Sequence, residues 1–360
     1  MLNNAMAVGL KTIKDKPILV TGAAGFIGAK TVELLLEAGE SVVGIDNLND
    51  YYDIRLKHYR INSLFGQAKP HQLVSFSKDT KGLSKANLSN ESFSFYLVNI
   101  EDQEAIGNLF AKHDFKSVLN LAARAGVRFS MENPHVYITT NAIGTLNLLE
   151  AMRKNDVKKM VLASTSSLYA GQAMPFVEAL PVNTPISPYA ASKKAAEVLA
   201  YSYHNLYDLD VSVVRYFTVF GPCGRPDMCI FRFAEWIEKG EPIELFGDGE
   251  QSRDFTYVDD IARGTIAAQK EIGYEIINLG GGNNPVSINQ VIEQIEFGLG
   301  KKGNKERKPF HKADMTTTWA DISKAKRLLD WVPKTPVTEG IQKTVEWHKS
   351  NRGWLNDIHF

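Results

Sequence analysis

Short apolar runs alternate with amphipathic stretches over the N-terminal part of the chain. The apolar runs predict six β-strands, at residues 16–21, 41–45, 93–100, 117–122, 158–163 and 211–217. Between some of these runs, apolar positions recur at helical spacing in residues 29–38, 133–153 and 188–207. The third and fourth runs look continuous rather than alternating, which is typical of strands buried on both faces. This alternation predicts an α/β fold with a doubly wound parallel sheet and right-handed crossovers.

Two later stretches lack this alternation. Residues 66–90 are rich in Lys, Ser, Asn and Gly without a clear period, so we expect a long surface loop there. From Gly221 onward, short helical and extended pieces are separated by many glycines and prolines. We therefore divide the chain into two parts. Residues 16–220 form a first domain, and residues 221–360 form mainly a smaller mixed lobe, from which some strands return to the large sheet.

The first strand runs directly into a glycine-rich turn. Gly22, Gly25 and Gly28 lie between this strand and the first helical stretch, which is the order of a Rossmann dinucleotide-binding unit. Glycines permit close backbone approach, and a helix N-terminus presents free N–H groups to a diphosphate. Asp46 ends the second strand, at about the distance after the glycines that is expected of a carboxylate that binds an adenosine ribose. An acid at that place repels a 2′-phosphate, so NAD is favoured over NADP. The alternative is a structural turn with a capping acid.

A second motif places a phenol and an amine on one helix face. Tyr189 and Lys193 are four residues apart in a stretch of strong helix formers, so both side chains project from the same side. Making a phenol a base near neutrality means lowering its pKa by roughly 3 units, or about 4 kcal/mol. One cation about 5 Å away, at an effective dielectric of about 20, supplies roughly 3 kcal/mol. An oxidised nicotinamide ring would add the missing positive charge, although such a pair also occurs by chance in many helices.

Composition excludes several classes of partner. Among 360 residues, 41 are Lys or Arg and 41 are Asp or Glu, so no net basic field attracts nucleic acid or an anionic membrane. Cys223 and Cys229 are too few for a disulfide scaffold and lack the companions of a metal site, which fits a reducing cytoplasm. We also expect no secretion signal and no membrane span, because no apolar stretch reaches about 18 residues.

Three motifs together resemble the extended short-chain dehydrogenase/reductase family. They are Thr21-Gly22-x-x-Gly25-x-x-Gly28, Tyr189-x-x-x-Lys193 and Arg253-Asp254-Phe255-x-Tyr257-Val258-Asp259-Asp260. Within the family, the chain is most similar to the nucleotide-sugar epimerases that act on UDP-glucuronate. That closer match lies in Ala123-x-Ala125-Gly126-Val127-Arg128, Asn133-Pro134 and Gly224-Arg225-Pro226-Asp227-Met228. The resemblance implies a Rossmann NAD-binding domain followed by a UDP-sugar-binding lobe.

The resemblance also implies roles in catalysis. Tyr189 would take the proton of the sugar 4-hydroxyl, Thr165 would hydrogen bond to the same oxygen, and Lys193 would bind the nicotinamide ribose and lower the pKa of Tyr189. Hydride would pass from C4 of the sugar to NAD and return to the opposite face after the keto sugar has turned over. The implied NAD contacts are Gly22, Gly25, Phe26, Ile27, Gly28, Asp46, Asn47, Asn99, Ile100, Leu121, Ala122, Ala123, Asn141, Tyr189, Lys193 and Tyr216.

A further set of residues is implied to contact the UDP-sugar. Arg253 would clamp the diphosphate through its planar fork, and Asp314 would lie near the nucleotide ribose. For Arg253, the alternative is a surface salt bridge with Asp254 or Asp259. The whole implied set is Arg128, Ser166, Ser167, Thr218, Arg225, Arg253 and Asp314.

The C6 carboxylate of a glucuronate poses a problem of its own, since oxidation at C4 produces a β-keto acid that can lose CO₂. We hypothesise that Ser166, Thr218 and Arg225 hold the carboxylate away from alignment with the C4 carbonyl. For Arg225, the alternative is a pair with Asp227 that stabilises the loop.

The residues after Thr165 separate the reactions of the family. Related sugar dehydratases and UDP-glucuronate decarboxylases carry an acid where this chain has Ser166 and Ser167, so epimerisation is favoured. The alternatives are 4-epimerisation of UDP-glucose or UDP-N-acetylglucosamine, decarboxylation of UDP-glucuronate, and a non-catalytic NAD-binding redox sensor or scaffold.

Some positions depart from the family pattern. Asn99 stands where relatives have an aspartate beside the adenine, Ala170 replaces a glycine, and His311 replaces a longer nucleotide-binding side chain. The resemblance also implies a homodimer that pairs through two helices, here residues 133–153 and 188–207. The apolar residues on the outer faces of these helices are equally compatible with packing inside the monomer.

Overall fold

The computed structural model describes residues 16–67, 72–282, 285–309 and 315–358. Its strands are β1 (Ile18–Thr21), β2 (Val42–Asp46), β3 (Phe76–Lys78), β4 (Ser84–Ala86), β5 (Phe93–Leu97), β6 (Ser117–Asn120), β7 (Lys159–Thr165), β8 (Asp210–Tyr216), β9 (Thr218–Phe220), β10 (Ile243–Phe246), β11 (Ser252–Arg253), β12 (Phe255–Tyr257), β13 (Tyr274–Leu279), β14 (Val286–Ser287) and β15 (Lys305–Lys308). Nine of them form a large sheet in the order β13-β8-β7-β6-β1-β2-β5-β4-β3. The pairs β10 with β15, β11 with β14 and β12 with β9 form small sheets.

Helices cover the large sheet and build the C-terminal part. They are α1 (Phe26–Glu37), α2 (Ile54–Leu64), α3 (Gln103–Lys112), α4 (Val127–Glu132), α5 (Pro134–Tyr137), α6 (Gly144–Lys154), α7 (Pro188–Tyr207), α8 (Cys229–Lys239), α9 (Val258–Ala267), α10 (Ile288–Leu299), α11 (Ser323–Leu329) and α12 (Val337–Leu355). A π-helical segment, Ile138–Ile143, joins α5 to α6, and a 3₁₀ turn, Ser166–Tyr169, follows β7. In the described parts of the chain, no helix combines the length and apolarity needed to cross a membrane.

The predicted α/β sheet is confirmed. All six predicted strands lie in the large sheet and pair in parallel there. The helix predicted at 188–207 has those bounds in the structure, whereas the one predicted at 133–153 is divided by the π-helical segment. Strand β13 joins the edge of the sheet beside β8, although it follows residue 220.

The prediction of a surface loop at residues 66–90 is wrong in part. Strands β3 and β4 form a hairpin, and β4 pairs antiparallel with β5, so the hairpin extends the sheet. The turn is closed by Asp79, whose Oδ1 accepts hydrogen bonds from the N–H groups of Lys81 and Leu83, both at 2.9 Å. Backbone pairing and an Asx turn hold these short strands, so they leave little hydrophobic periodicity in the sequence.

Alternate residues of the strands face two separate cores. Ile18 and Val20 of β1 pack in the cluster that contains Val32 of α1, while Leu19 packs in the cluster that contains Leu109 of α3 and Leu148 of α6. Because both faces are covered by helices, the carboxyl ends of the parallel strands are the open side at which a ligand can bind.

A third core lies in the C-terminal part. Phe233 of α8, Ile292 of α10 and Ile341 of α12 are buried together, and Tyr257 of β12 packs with them. Asp260, at the start of α9, is fully buried and accepts hydrogen bonds from the backbone N–H groups of residues 334 and 335 at 2.8 and 2.9 Å. These hydrogen bonds hold the start of α9 against residues 334–335.

Candidate active site

A cavity of about 830 Å³ opens at the carboxyl ends of the large sheet's strands and extends to the C-terminal part. This volume is in the range of about 300–1,000 Å³ that is usual for small-molecule sites. The predicted residues that border the cavity are Gly22, Gly25, Phe26, Ile27, Gly28, Asp46, Asn47, Asn99, Ile100, Leu121, Ala122, Ala123, Arg128, Thr165, Ser166, Ser167, Tyr189, Lys193, Tyr216, Thr218, Arg225 and Arg253. Asp314, like His311, lies outside the described residues.

The glycine turn forms one end of the cavity. Gly22 has a φ of +68°, and a Cβ there would lie 2.8 Å from the backbone nitrogen of Ala122. A Cβ on Gly28 would lie 2.0 Å from the carbonyl oxygen of Gly22, so helix α1 can start this close to the turn only with glycine. Gly25 caps α1 without a side-chain hydrogen bond, which leaves the first N–H groups of the helix open to an anion. The turn therefore fits the diphosphate of a dinucleotide.

An acid and a lysine lie together at the end of β2. Asp46 is buried, and its Oδ1 accepts a hydrogen bond from the N–H of Leu48 at 2.8 Å. The Nζ atom of Lys57 lies 3.9 Å from the same oxygen and donates to the carbonyl oxygen of Asn49 at 2.7 Å. Burial lowers the pKa of Lys57 to about 8, and Asp46 opposes that shift. Asp46, which we predicted to bind the adenosine ribose, thus borders the cavity with the Lys57 amine beside it.

Strand β7 and helix α7 bring the three side chains predicted to be catalytic to the same cavity. Thr165 ends β7, and its Oγ1 accepts a hydrogen bond from the N–H of Ser167 at 3.1 Å. Ser187 caps α7 by accepting from the N–H of Ala190 at 3.2 Å, so Tyr189 lies in the first helical turn. One turn later, the Nζ atom of Lys193 donates to the carbonyl oxygen of Ala163 at 3.0 Å, which fixes α7 against β7.

The electrostatics of Tyr189 differ from the expectation. Burial, the largest influence, raises the pKa of Tyr189, while a hydrogen bond with Thr165 and the charge of Arg225 act to lower it. The groups that oppose burial are therefore Thr165 and Arg225, rather than Lys193 as the sequence suggested. Burial also lowers the pKa of Lys193 to about 8, against the opposing charge of Glu197.

Asn141 does not border the cavity, although it was predicted to contact NAD. It is buried in the π-helical segment, where its Nδ2 donates to Ser192 Oγ at 2.9 Å and to the carbonyl oxygen of Arg124 at 3.0 Å. Its Oδ1 accepts from the N–H of Arg124 at 2.8 Å. Because its amide is engaged by the chain itself, Asn141 positions the loop after β6 against α7.

Arg225 borders the cavity and also forms the pair with Asp227 that we considered as the alternative. Its Nε donates to Asp227 Oδ1 at 3.0 Å, and its Nη2 contacts Asp227 Oδ2. The Arg225 guanidinium lies 5.7 Å from the ring centre of Tyr51, whose hydroxyl is 3.5 Å from Asp227. Asp227 thus holds Arg225 at the cavity wall. A ligand carboxylate that bound Arg225 would have to share the guanidinium with Asp227 or displace Asp227 from it.

The other two predicted arginines also lie at the wall. Arg128 lies over the ring of Phe246, with 4.2 Å between its Cζ and the ring centre. Arg253 donates from Nη1 to the carbonyl oxygen of Ser252 at 2.8 Å. The acids considered as its alternative partners are engaged elsewhere: Asp254 accepts from the N–H of Ala320 at 2.9 Å, and Asp259 lies 3.7 Å from Lys30.

Sequence reasoning missed several cavity residues. Lys57, Tyr51 and Tyr52 come from the stretch around α2, for which the hydrophobic pattern predicted no element. Arg124, which donates to Asn49 Oδ1 at 3.1 Å, follows β6. The crowding of aromatic and cationic side chains in residues 51–60 was the available signal.

Comparisons with known proteins identify the family of the chain. The model of the NAD dependent epimerase/dehydratase family matches residues 18–280. UDP-glucuronate 4-epimerase of Thermodesulfobacterium geofontis is 56% identical over 94% of this chain and 98% of its own. A crystal structure of UDP-glucuronic acid 4-epimerase from Bacillus cereus, in complex with UDP-glucuronic acid and NAD, is 35% identical with a TM-score of 0.80 and covers 93% of this chain and 99% of that one. UDP-glucose 4-epimerase from Thermotoga maritima is 32% identical with a TM-score of 0.78, over the same shares. The chain belongs to the NAD dependent epimerase/dehydratase family.

Proposed function

We propose that this protein is a UDP-glucuronate 4-epimerase, which interconverts UDP-glucuronate and UDP-galacturonate with NAD as its cofactor. The observation that carries the proposal is a single cavity in which the glycine turn, Thr165, Tyr189, Lys193 and Arg225 meet. The 56% identity to an enzyme of that name over nearly the whole chain supports it.

The chain offers contacts for the diphosphate and for both riboses of NAD. The free N–H groups at the start of α1 bind the diphosphate, and the Asp46 carboxylate accepts from the adenosine ribose hydroxyls. Lys193, held by the carbonyl oxygen of Ala163, binds the nicotinamide ribose. Bound NAD supplies the hydride-accepting and hydride-donating chemistry at C4 of the sugar.

Tyr189 acts as the base that accepts the proton of the sugar 4-hydroxyl and later returns it. Thr165 hydrogen bonds to Tyr189 and, in this proposal, to the same sugar oxygen, which favours the phenolate. The charge of Arg225 acts in the same direction. Because burial keeps the pKa of Tyr189 high, these two groups have to offset that desolvation before the tyrosine can work near neutral pH.

The C6 carboxylate is recognised by a separate set of cavity residues. Arg225 binds it through charge-assisted hydrogen bonds, and the hydroxyls of Ser166 and Thr218 hold its orientation. Ser166 and Ser167 provide no carboxylate after Thr165, so the base needed for elimination across C5 and C6 is missing at those positions. The reaction therefore ends in re-reduction at C4.

Incubation of the purified protein with UDP-glucuronate, followed by NMR of the products, tests the proposal. We expect UDP-galacturonate to form without net consumption of NAD, and Tyr189→Phe to abolish its formation. A UDP-pentose product would identify a decarboxylase. Unchanged UDP-glucuronate, together with turnover of UDP-glucose or UDP-N-acetylglucosamine, would select the neutral-sugar alternative.

We further propose that the protein is a homodimer and works in the cytoplasm. Ile138 and Ile143 of the π-helical segment and Val198 and Tyr201 of α7 are exposed, which supports pairing through these helices. The two cysteines are unpaired, consistent with a reducing compartment. Sedimentation should give twice the chain mass of 40.1 kDa, and Tyr201→Asp should lower it to one chain mass; a monomeric wild type would refute the pairing.

A further inference from the structure

A buried arginine of α2 joins the two ends of the site. Arg60 is 4% exposed, and its five N–H donors are all used. Its Nε donates to the carbonyl oxygen of Cys223 at 3.1 Å, and its Nη2 donates to those of Cys223 at 2.7 Å and Gly224 at 3.0 Å. Its Nη1 donates to the carbonyl oxygen of Ala24 at 3.1 Å and to the hydroxyl of Tyr52 at 2.7 Å. All of these acceptors are neutral, so backbone carbonyl oxygens and one phenol hydroxyl, rather than a carboxylate, solvate the buried cation.

The acceptors belong to two segments far apart in sequence. Ala24 lies in the glycine turn, between Gly22 and Gly25. Cys223 and Gly224 directly precede Arg225, which borders the other part of the cavity. One guanidinium therefore sets the distance between the dinucleotide turn and the segment that carries Arg225.

The segment before Arg225 needs such support. Cys223 has a φ of +52°, which is a left-handed backbone conformation. Residues other than glycine avoid this conformation, and it persists only where the surrounding structure imposes it. Two of the five hydrogen bonds of Arg60 end on the carbonyl oxygen of this residue. A lysine has three donors and no planar fork, so it cannot reach the same acceptors at once.

We propose that Arg60 is a positioning residue for substrate selectivity. It holds residues 223–225 against the glycine turn so that Arg225 meets the C6 carboxylate of the UDP-sugar. This inference rests on the proposed function, since it concerns the recognition of a uronate. A purely structural role would instead weaken the binding of every ligand or the fold as a whole.

The test compares two ligands that differ at C6. Arg60→Lys, Arg60→Met and the wild type are saturated with NAD, and calorimetry gives Kd for UDP-glucuronate and for UDP-glucose. Misplacing a charge-assisted hydrogen bond should raise Kd for UDP-glucuronate by about tenfold or more, while Kd for UDP-glucose changes by less than about threefold. Arg55→Met serves as the matched control, because Arg55 lies in the same helix but pairs with Asp53.

A double-mutant cycle separates positioning from a direct effect. In an Arg225→Ala background, Arg60→Lys should add less than about twofold to Kd for UDP-glucuronate, because the group that it positions is gone. Equal losses for both nucleotides, additive losses in the two backgrounds, or failure of both Arg60 variants to fold would overturn the inference. A wild-type protein that binds UDP-glucuronate but forms no UDP-galacturonate would refute the proposed function. The Kd values of the Arg60 variants for the two nucleotides could still be compared, so the two proposals can fail separately.

Discussion

Replacing Glu197 with alanine should destabilise the protein strongly, because it leaves a buried cation without its partner. Glu197 accepts hydrogen bonds from Arg215 Nε at 2.9 Å and Nη2 at 2.8 Å, and each side chain is 1% exposed. Ser164 Oγ donates to Glu197 Oε1 at 2.6 Å. Tyr169 and Asn278 continue the network, since the Tyr169 hydroxyl accepts from Arg215 and donates to Asn278, both at 2.8 Å.

The magnitude follows from the burial. Removing one partner of a fully buried ion pair costs about 3–5 kcal/mol, since the remaining charge has lost both water and its counter-ion. At about 2.1 cal/mol/K per residue, the 360-residue chain has an unfolding entropy of about 0.76 kcal/mol/K. The expected fall in Tm for Glu197→Ala is therefore about 4–7 °C.

Differential scanning calorimetry of three variants checks this reasoning. Glu150→Ala is the matched control, because Glu150 accepts from Arg153 with similar geometry, both at 3.0 Å, but at the surface. It should change Tm far less than Glu197→Ala does. The double variant Glu197→Ala/Arg215→Met removes both charges and should recover much of the loss. The reasoning is refuted if Glu197→Ala and Glu150→Ala lower Tm equally, or if the double variant is less stable than Glu197→Ala.

Two further predictions concern the site itself. Arg225→Ala should weaken the binding of UDP-glucuronate far more than that of UDP-glucose, because only the former offers a carboxylate; equal losses of affinity measured by calorimetry would contradict the assignment. With a pKa of about 8 for Lys193, kcat/KM should fall as the pH rises through that value, since the lysine acts as a cation. Glu197 raises this pKa, so Glu197→Gln should move the alkaline limb of the pH–rate profile to lower pH, and an unmoved limb would count against Lys193 as its source.

The sequence predicted the parts of the site that depend on local geometry. Gly22 and Gly28 are required by contacts within a few residues of the turn or with the adjoining strand, so their spacing alone was informative. Tyr189 and Lys193 share a helix face because α7 is continuous, and the start of α7 is marked by Ser187 and a proline at its first position.

The parts that the sequence did not predict depend on distant partners. Arg60 meets Cys223 across 163 positions, and nothing near Arg60 in sequence indicates that carbonyl oxygens will surround it. The pKa of Tyr189 is likewise set by burial and by Arg225, which is far from it in sequence. Asn141 was placed at the cofactor because the family resemblance implied a contact, whereas the fold engages its amide with Ser192 and Arg124.

Helix α7 connects the chemistry to the core through one face. Tyr189, Lys193 and Glu197 follow one another at intervals of four residues, so they lie in one row along the helix. Tyr189 borders the cavity, Lys193 also reaches the backbone of β7, and Glu197 is fully buried against Arg215 of β8. The row passes from cavity to interior within two turns, so a rotation of α7 about its axis that displaced the Tyr189 phenol would also break the buried pair of Glu197 and Arg215. The Glu197–Arg215 pair therefore helps to fix the position of Tyr189, and Glu197 also raises the pKa of Lys193, which is why we expect Glu197 to affect both stability and the pH profile.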